Sequence, residues 1–285
     1  MHQKFVADRD LLSVFRHTCD VCKNLLHKGL LDEETTTGAI LGAMAASYPI
    51  LATTKGQSKI NWHRYNKSSA RDPNSEARNG ADFTLWLLGD EGNSRVAIFQ
   101  AKKSAVRRTA SGWRVDVRHE STDLSGNPCA QMVALAELAD QLLRTNQTPA
   151  VINPKNELGH LEWIHYLLYG PSEPLCIPLS RMSDLYPAEK NLQGSRNEFT
   201  FVPKDEKTFL KVLSSGINQN TKQWLTVKTK ELFKMFPAWI SISPIIVAST
   251  ENGWDFVPAN RTPSKGRKRT QATKPARQST NRSKI

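Results

Sequence analysis

The sequence predicts an α/β fold whose core runs helix, strand, strand, strand, helix, strand, with a mixed central sheet flanked by helices. Three observations predict it. Two apolar, aromatic-rich runs, 82–88 (DFTLWLL) and 95–101 (RVAIFQA), flank a Gly/Asp/Asn turn and read as a β-hairpin. Stretches at 11–31 and 128–144 carry apolar residues at helical spacing. The hairpin strands are apolar on both faces, which implies a sheet buried between helices rather than one open to water.

Taken in order, the first helix spans 11–31, with Leu11, Leu12, Val14, Phe15, Val21, Leu25 and Leu26 on its apolar side. A second begins at Glu33 and Glu34, acids suited to a helix N-terminus, and is expected to stop before Pro49. Residues 59–65 (KINWHRY) are expected to form a strand, and the Ser/Arg/Asn-rich stretch 66–79 a loop. After the hairpin comes the helix 128–144, with Met132, Leu135, Leu138 and Leu142 near one stripe, and then a short strand at 149–153. Beyond 156, helices are expected near 158–168, 206–213 and 222–235, and strands at 175–179 and 245–249. The chain thus divides into a core at 1–155, a C-terminal α/β extension at 156–259 and a basic tail at 260–285. The extension either completes one α/β domain or forms a subdomain.

The net charge is +12, and residues 260–285 hold nine Lys/Arg and no Asp/Glu, leaving +3 to the rest. That tail is Thr/Ser/Pro-rich, with almost no large apolar side chains, and is expected to be disordered when unbound. Lys265, Arg267, Lys268 and Arg269 can track a phosphate backbone, or merely keep the chain soluble. The N-terminus has no apolar leader, and no run approaches the roughly 18 apolar residues of a membrane span. The expectation is a soluble, cytoplasmic protein with no membrane partner. Four cysteines, Cys19, Cys22, Cys129 and Cys176, are too few for a stapled secreted fold. Cys19 and Cys22, one helical turn apart, read as core thiols rather than zinc ligands.

The chemistry is concentrated between 76 and 103. Gln100 and Lys102 are two apart on a strand, so one face receives an amide oxygen and an ammonium. Asp82 opens the partner strand after Gly80-Ala81, and the hairpin brings it to the same end. To share that face, paired residues must sum to an even number such as 182 or 184. Phosphodiester cleavage needs a divalent cation to activate water and neutralise developing charge. Hard oxygen donors suit Mg²⁺ (or Mn²⁺), with Asp82 and the Gln100 carbonyl as ligands. Lys102 then supplies a positive charge to the attacking hydroxide and the transition state.

Asp82, the hairpin and Gln100-Ala101-Lys102 together resemble the signature of the PD-(D/E)xK phosphodiesterases, in the Gln-x-Lys variant of some type IV restriction nucleases. The family's αβββαβ restriction-endonuclease-like core resembles the element order above over roughly the first 155 residues. Gln100 stands where the family usually has a second carboxylate, which should weaken metal binding. The resemblance implies a further acid: Glu76, six residues before Asp82, is favoured for its closeness to the motif as a catalytic residue and metal ligand, with Glu34 on the first core helix as the alternative. Gln131, on the helix after the hairpin, is placed as a supporting or substrate-contacting group. Lys103, Arg107, Arg108, Arg114 and Arg118, with Trp113 among them, form a basic run past the motif. It reads as a phosphate-gripping loop or as an ordinary charged one.

The reading is a metal-dependent endonuclease acting on DNA more readily than RNA, with a restriction or phage-defence role implied by resemblance alone. A homodimer or a defence-system partner protein is compatible with it. The alternative is a catalytically inactive nucleic-acid-binding module, or a partner-activated subunit, that keeps the nuclease fold. There is no Walker-type phosphate loop, which argues against an intrinsic ATPase.

Overall fold

The computed structural model describes residues 9–28, 31–51, 80–88, 93–103, 106–110, 112–118, 120–122, 128–145, 157–170, 173–191, 198–217, 221–228, 245–249 and 253–256. Glu76, the strands expected at 59–65 and 149–153, and the basic tail lie outside these residues.

Helices α1 (Arg9–Lys28) and α2 (Glu33–Leu51) come first. Strands β1 (Phe83–Leu88) and β2 (Asn93–Lys102) form the predicted hairpin. Then follow β3 (Val106–Thr109), β4 (Gly112–Asp116), β5 (Glu120–Thr122), β6 (Pro128–Ala130) and helix α3 (Gln131–Thr145). The remainder comprises β7 (Ile164–Tyr169), β8 (Pro174–Pro178), the short α4 (Tyr186–Lys190), β9 (Glu198–Phe201) and β10 (Lys207–Thr208). Helix α5 (Phe209–Ile217), β11 (Leu225–Lys228), β12 (Ile245–Ser249) and β13 (Gly253–Phe256) complete it.

An eight-stranded mixed sheet runs β10-β8-β7-β2-β1-β12-β13, with the eighth strand, β11, paired to β2 off this path. Its parallel pairs are β2 with β7 and β1 with β12. The ten-residue β2 serves two partners along one edge, β11 at Asn93–Val96 and β7 at Ile98–Lys102, while β1 takes the other edge. Strands from both sides of residue 155 share this sheet.

Alternation along β2 divides the core in two. Ala97, Phe99 and Ala101, with Phe83, Leu85, Leu87 and Leu167, pack under α1, α2 and α5. Phe83 stacks on Phe99 with centroids 4.9 Å apart, and Phe209 meets both rings edge-on. On the opposite face Val96, Ile98, Ile164, Tyr166 and Leu168 pack with α3, whose Met132, Leu135, Leu138 and Leu142 are all buried. Cys19 and Cys22 lie buried in the α1 packing, as core thiols should, and burial pushes the Cys19 thiol up to about 12. Among the described residues no helix is long and apolar enough to cross a membrane.

The structure departs from the sequence expectation at six places, the first being the helix expected at 128–144, where 128–130 is strand β6 and α3 begins at Gln131. The helix expected near 158–168 does not form: 157–163 are turns and irregular backbone, and 164–169 is strand β7. IHYLLY is buried on both faces, and an unbroken apolar run carries no period to separate strand from helix. Within the helix expected at 222–235, 225–228 is strand β11, and 229–235 lies outside the described residues. Helix α5 begins at Phe209 rather than 206, after the two-residue β10. Helix α2 continues through Pro49 to Leu51, and because proline has no N–H the bond back to the carbonyl four residues earlier is missing from its last turn. Finally, the basic run after Lys102 is a β-ribbon: β3 and β4 pair with β9 in a second, three-stranded sheet.

Candidate active site

The β1–β2 ladder pairs Phe83 with Phe99, Leu85 with Ala97 and Leu88 with Ser94, an even register of 182 throughout. Asp82 lies one residue before the ladder, and its own N–H donates to the Phe99 carbonyl at 2.9 Å. Its carboxylate Oδ2 accepts the Ala101 N–H at 2.5 Å. A side-chain oxygen therefore occupies the position where β1 would have offered a backbone carbonyl had it continued. The carboxylate consequently sits near the plane of the sheet, at the end of β2, rather than wholly on one face. Tyr166 and Tyr169 lie on opposite faces of β7, and the Asp82 charge contributes to raising both phenols, after burial as the main cause.

Gly80 explains how the turn is held. It adopts φ 69°, and a Cβ there would come within 2.6 Å of the Gln131 backbone oxygen and 2.9 Å of its Cγ. Only glycine fits between β1 and the first residue of α3. The Gly80-Ala81-Asp82 segment thus docks on the N-terminus of α3 and brings Gln131 to the site.

Gln100 is fully buried and lies beside Tyr166 in the β2–β7 ladder. Its Nε2 donates to the Ala101 carbonyl at 3.1 Å, while its Oε1 has no donor among the described residues. The Gln131 Oε1 and the Tyr166 hydroxyl are likewise buried without partners. Buried amide oxygens normally find a donor, so two of them at one strand end mark a place built to receive a donor or a cation. Lys102 follows Gln100 on the same face, 8% exposed. Among the described residues it has no ion-pair partner.

On the other side of β2, helix α2 supplies an acid, and it is Glu33 whose carboxylate reaches the strand. Glu33 Oε2 accepts the Lys103 N–H at 2.6 Å, whereas Glu34, the alternative to Glu76 as the site's further acid, is exposed. Thr37 fixes the approach through a 2.8 Å hydrogen bond between its hydroxyl and that of Tyr169. The Lys103 ammonium donates to the Leu31 carbonyl, which ties it to the start of α2. Asp82 and Glu33 therefore hold alternate backbone N–H groups at 101 and 103, the last but one residue of β2 and the first beyond it.

Of the expected site residues, Asp82, Gln100, Lys102 and Gln131 come together at the end of β2. Arg107, Arg108 and Arg114 lie on the ribbon that grows from that end, with Arg118 partly buried beyond it. Tyr166 escaped the sequence reading because its strand was taken for helix. Glu33 was passed over because helical spacing does not reveal which of two adjacent acids turns inward.

The donors suit a hard cation that keeps most of its waters: one carboxylate at Asp82 and two amide oxygens. They do not suit zinc, and among the described residues no three His, Cys, Asp or Glu side chains gather to hold a metal. Comparison with protein-family models, with curated proteins and with solved structures gave no match.

Proposed function

We propose that this chain is a metal-dependent endonuclease that hydrolyses phosphodiester bonds in DNA, with a restriction-endonuclease-like core at the β1–β2 hairpin. The observation that carries the reading is the meeting of Asp82, Gln100 and Lys102 at the end of β2, with the Gln100 carbonyl oxygen buried and without a donor among the described residues. Asp82 and Gln100 would hold Mg²⁺ or Mn²⁺, with Gln131 as a further oxygen and Glu33 flanking from α2. Glu76, outside the described residues, keeps its place as a candidate ligand. When bound, such a cation supplies an activated water and neutralises charge on the phosphate oxygens.

The chain's own groups do the rest. Asp82 is fixed by its bond to the Ala101 N–H, so its carboxylate is oriented before substrate arrives. Lys102 presents an ammonium in a position largely withdrawn from water, where its attraction for an anionic transition state is stronger than at the surface. The Tyr166 phenol, held neutral by burial and by the charges of Glu189 and Asp82, remains a hydrogen-bond donor beside Gln100. The basic ribbon would hold the backbone of the substrate.

One observation favours a second reading. The site's donors are a carboxylate and two neutral amides, a weak set for a cation. A nucleic-acid-binding module on a nuclease fold, or a subunit activated by a partner, is the alternative.

Supercoiled plasmid, linear duplex and single-stranded DNA and RNA, each with Mg²⁺ or Mn²⁺, decide between the two. Cutting that requires metal and falls by at least about a hundredfold in both Asp82→Ala and Lys102→Ala is the expected result, given the usual worth of one positioned charge. Binding without cutting, unaltered in those variants, would establish the alternative.

A further inference from the structure

Arg107 and Arg114 face each other directly across the β3–β4 ladder. Like charges in that position repel, so the hairpin needs an anion between them. Glu198 provides it from β9: one carboxylate oxygen pairs with Arg107 and the other accepts from Arg114 Nη1 at 3.2 Å. The carboxylate is the deeper partner, 20% exposed, while the two arginine side chains remain 53% and 44% exposed. Two guanidiniums thus converge on one singly charged group through its two oxygens. A phosphodiester offers the same demand, one negative charge shared over two non-bridging oxygens. The ribbon begins four residues after Lys102, and the Val106 N–H donates to the Lys103 carbonyl at 3.1 Å. Its apolar face, with Val106, Trp113, Val115, Phe199 and Phe201, packs on the same core as α3, so the arginine face is held outward.

We propose that Arg107 and Arg114 form a clamp for one phosphodiester of duplex DNA, and that Glu198 occupies this clamp in the free protein. The inference rests on the nucleic-acid reading of the neighbouring site. Ion pairs this exposed are weak, so a phosphate can displace the carboxylate. Glu198 then acts as an internal competitor: it steadies the paired arginines without DNA and lowers affinity for any backbone that fails to engage the rest of the surface.

The test is binding of the full chain to a fluorescent DNA duplex in EDTA, over a range of salt concentrations, so that catalysis plays no part. Glu198→Gln keeps a hydrogen-bonding side chain but removes the competing charge. It should tighten binding several-fold and steepen the salt dependence by about one unit of log K per log salt, the signature of one more phosphate contact. In an Arg107→Ala, Arg114→Ala background the same change should have no effect. Glu162→Gln, which removes a carboxylate paired with Lys222 elsewhere, controls for net charge. Equal tightening by Glu162→Gln and Glu198→Gln, or no tightening by Glu198→Gln, overturns the clamp even if the protein cuts DNA. Selective tightening by Glu198→Gln in a protein that never cuts sustains the clamp and removes the catalytic reading. Absence of duplex binding in every variant overturns the clamp as well.

Discussion

Acidification should destabilise this fold through one buried histidine. His165 lies in β7 with its ring stacked on Phe99 at 5.3 Å, and its Nε2 bonds the Gln223 carbonyl at 3.0 Å. A carbonyl can only accept, so Nε2 carries the proton and Nδ1 is the bare nitrogen, buried with no partner among the described residues. Protonation would place a charged N–H at Nδ1 among aromatic rings, with the Lys207 charge opposing it as well. Burial, the larger cause, and Lys207 push the pKa from 6.5 down to about 4, while the bond to Gln223 resists. Between those values the unfolded chain binds a proton that the folded chain refuses. The contribution of neutral His165 is therefore intact above pH 6.5 and is lost as pH falls towards 4. At about 1.4 kcal/mol per pKa unit, the loss reaches roughly 3 kcal/mol by pH 4 and roughly 2 kcal/mol at pH 5. Urea unfolding followed by tryptophan fluorescence at several pH values measures it, with His165→Leu as the reference. The variant starts less stable, having lost the bond to Gln223, but its stability should change less with pH by that amount. Parallel pH profiles for wild type and variant would refute the argument.

Two further substitutions address the site. Gly80→Ala forces a Cβ onto the Gln131 backbone at a positive φ, so strain of about 1 kcal/mol adds to a clash that only movement of the turn can relieve. Thermal unfolding should register the loss, and DNA cleavage should fall further than stability alone explains, because Asp82 and α3 move apart; unchanged cleavage would show that this contact does not position the site. Gln100→Glu restores a second carboxylate, and calorimetric titration with Mn²⁺ should show tighter binding by tenfold or more, one added charge being worth at least about 1.4 kcal/mol near a divalent ion. Affinity that stays constant would mean the Gln100 oxygen does not face the cation.

How much of this was legible follows from where the sequence carries a period and where it does not. The hairpin was plain, because two apolar runs around a Gly/Asp/Asn turn admit few other folds, and the even register followed from asking where Asp82 had to lie. Strand β7 was not legible: IHYLLY has an unbroken apolar face on both sides, which suits a buried helix as well as a central strand. Its misplacement hid Tyr166 and left the strand beside Gln100 unidentified. The basic ribbon was read as loop because Arg107 and Arg114 alternate with Val106, Trp113 and Val115, while Arg108 breaks the apolar face opposite Trp113. The choice of Glu33 over Glu34 depends on how α2 approaches β2, fixed by Thr37 and Tyr169 more than 130 residues apart in sequence.

The disposition of Lys102 bears on whether catalysis or binding is the better reading. A binding surface gains from lysines that remain in water, where each exchanges counterions for phosphate at little cost to folding. Lys102 is instead nearly buried at the end of a strand buried along most of its length, and desolvating an ammonium is expensive unless an anion compensates. The nearest carboxylate in the hairpin, Asp82, is bonded to the Ala101 N–H. Lys102 and the Tyr166 hydroxyl offer donors to an arriving phosphate, whereas the buried Gln100 and Gln131 oxygens, which only accept, suit a cation bound beside it, so groups of both kinds meet from β2, α3 and β7. A surface that merely grips DNA does not need that convergence, whereas a site that must stabilise charge on one phosphate does.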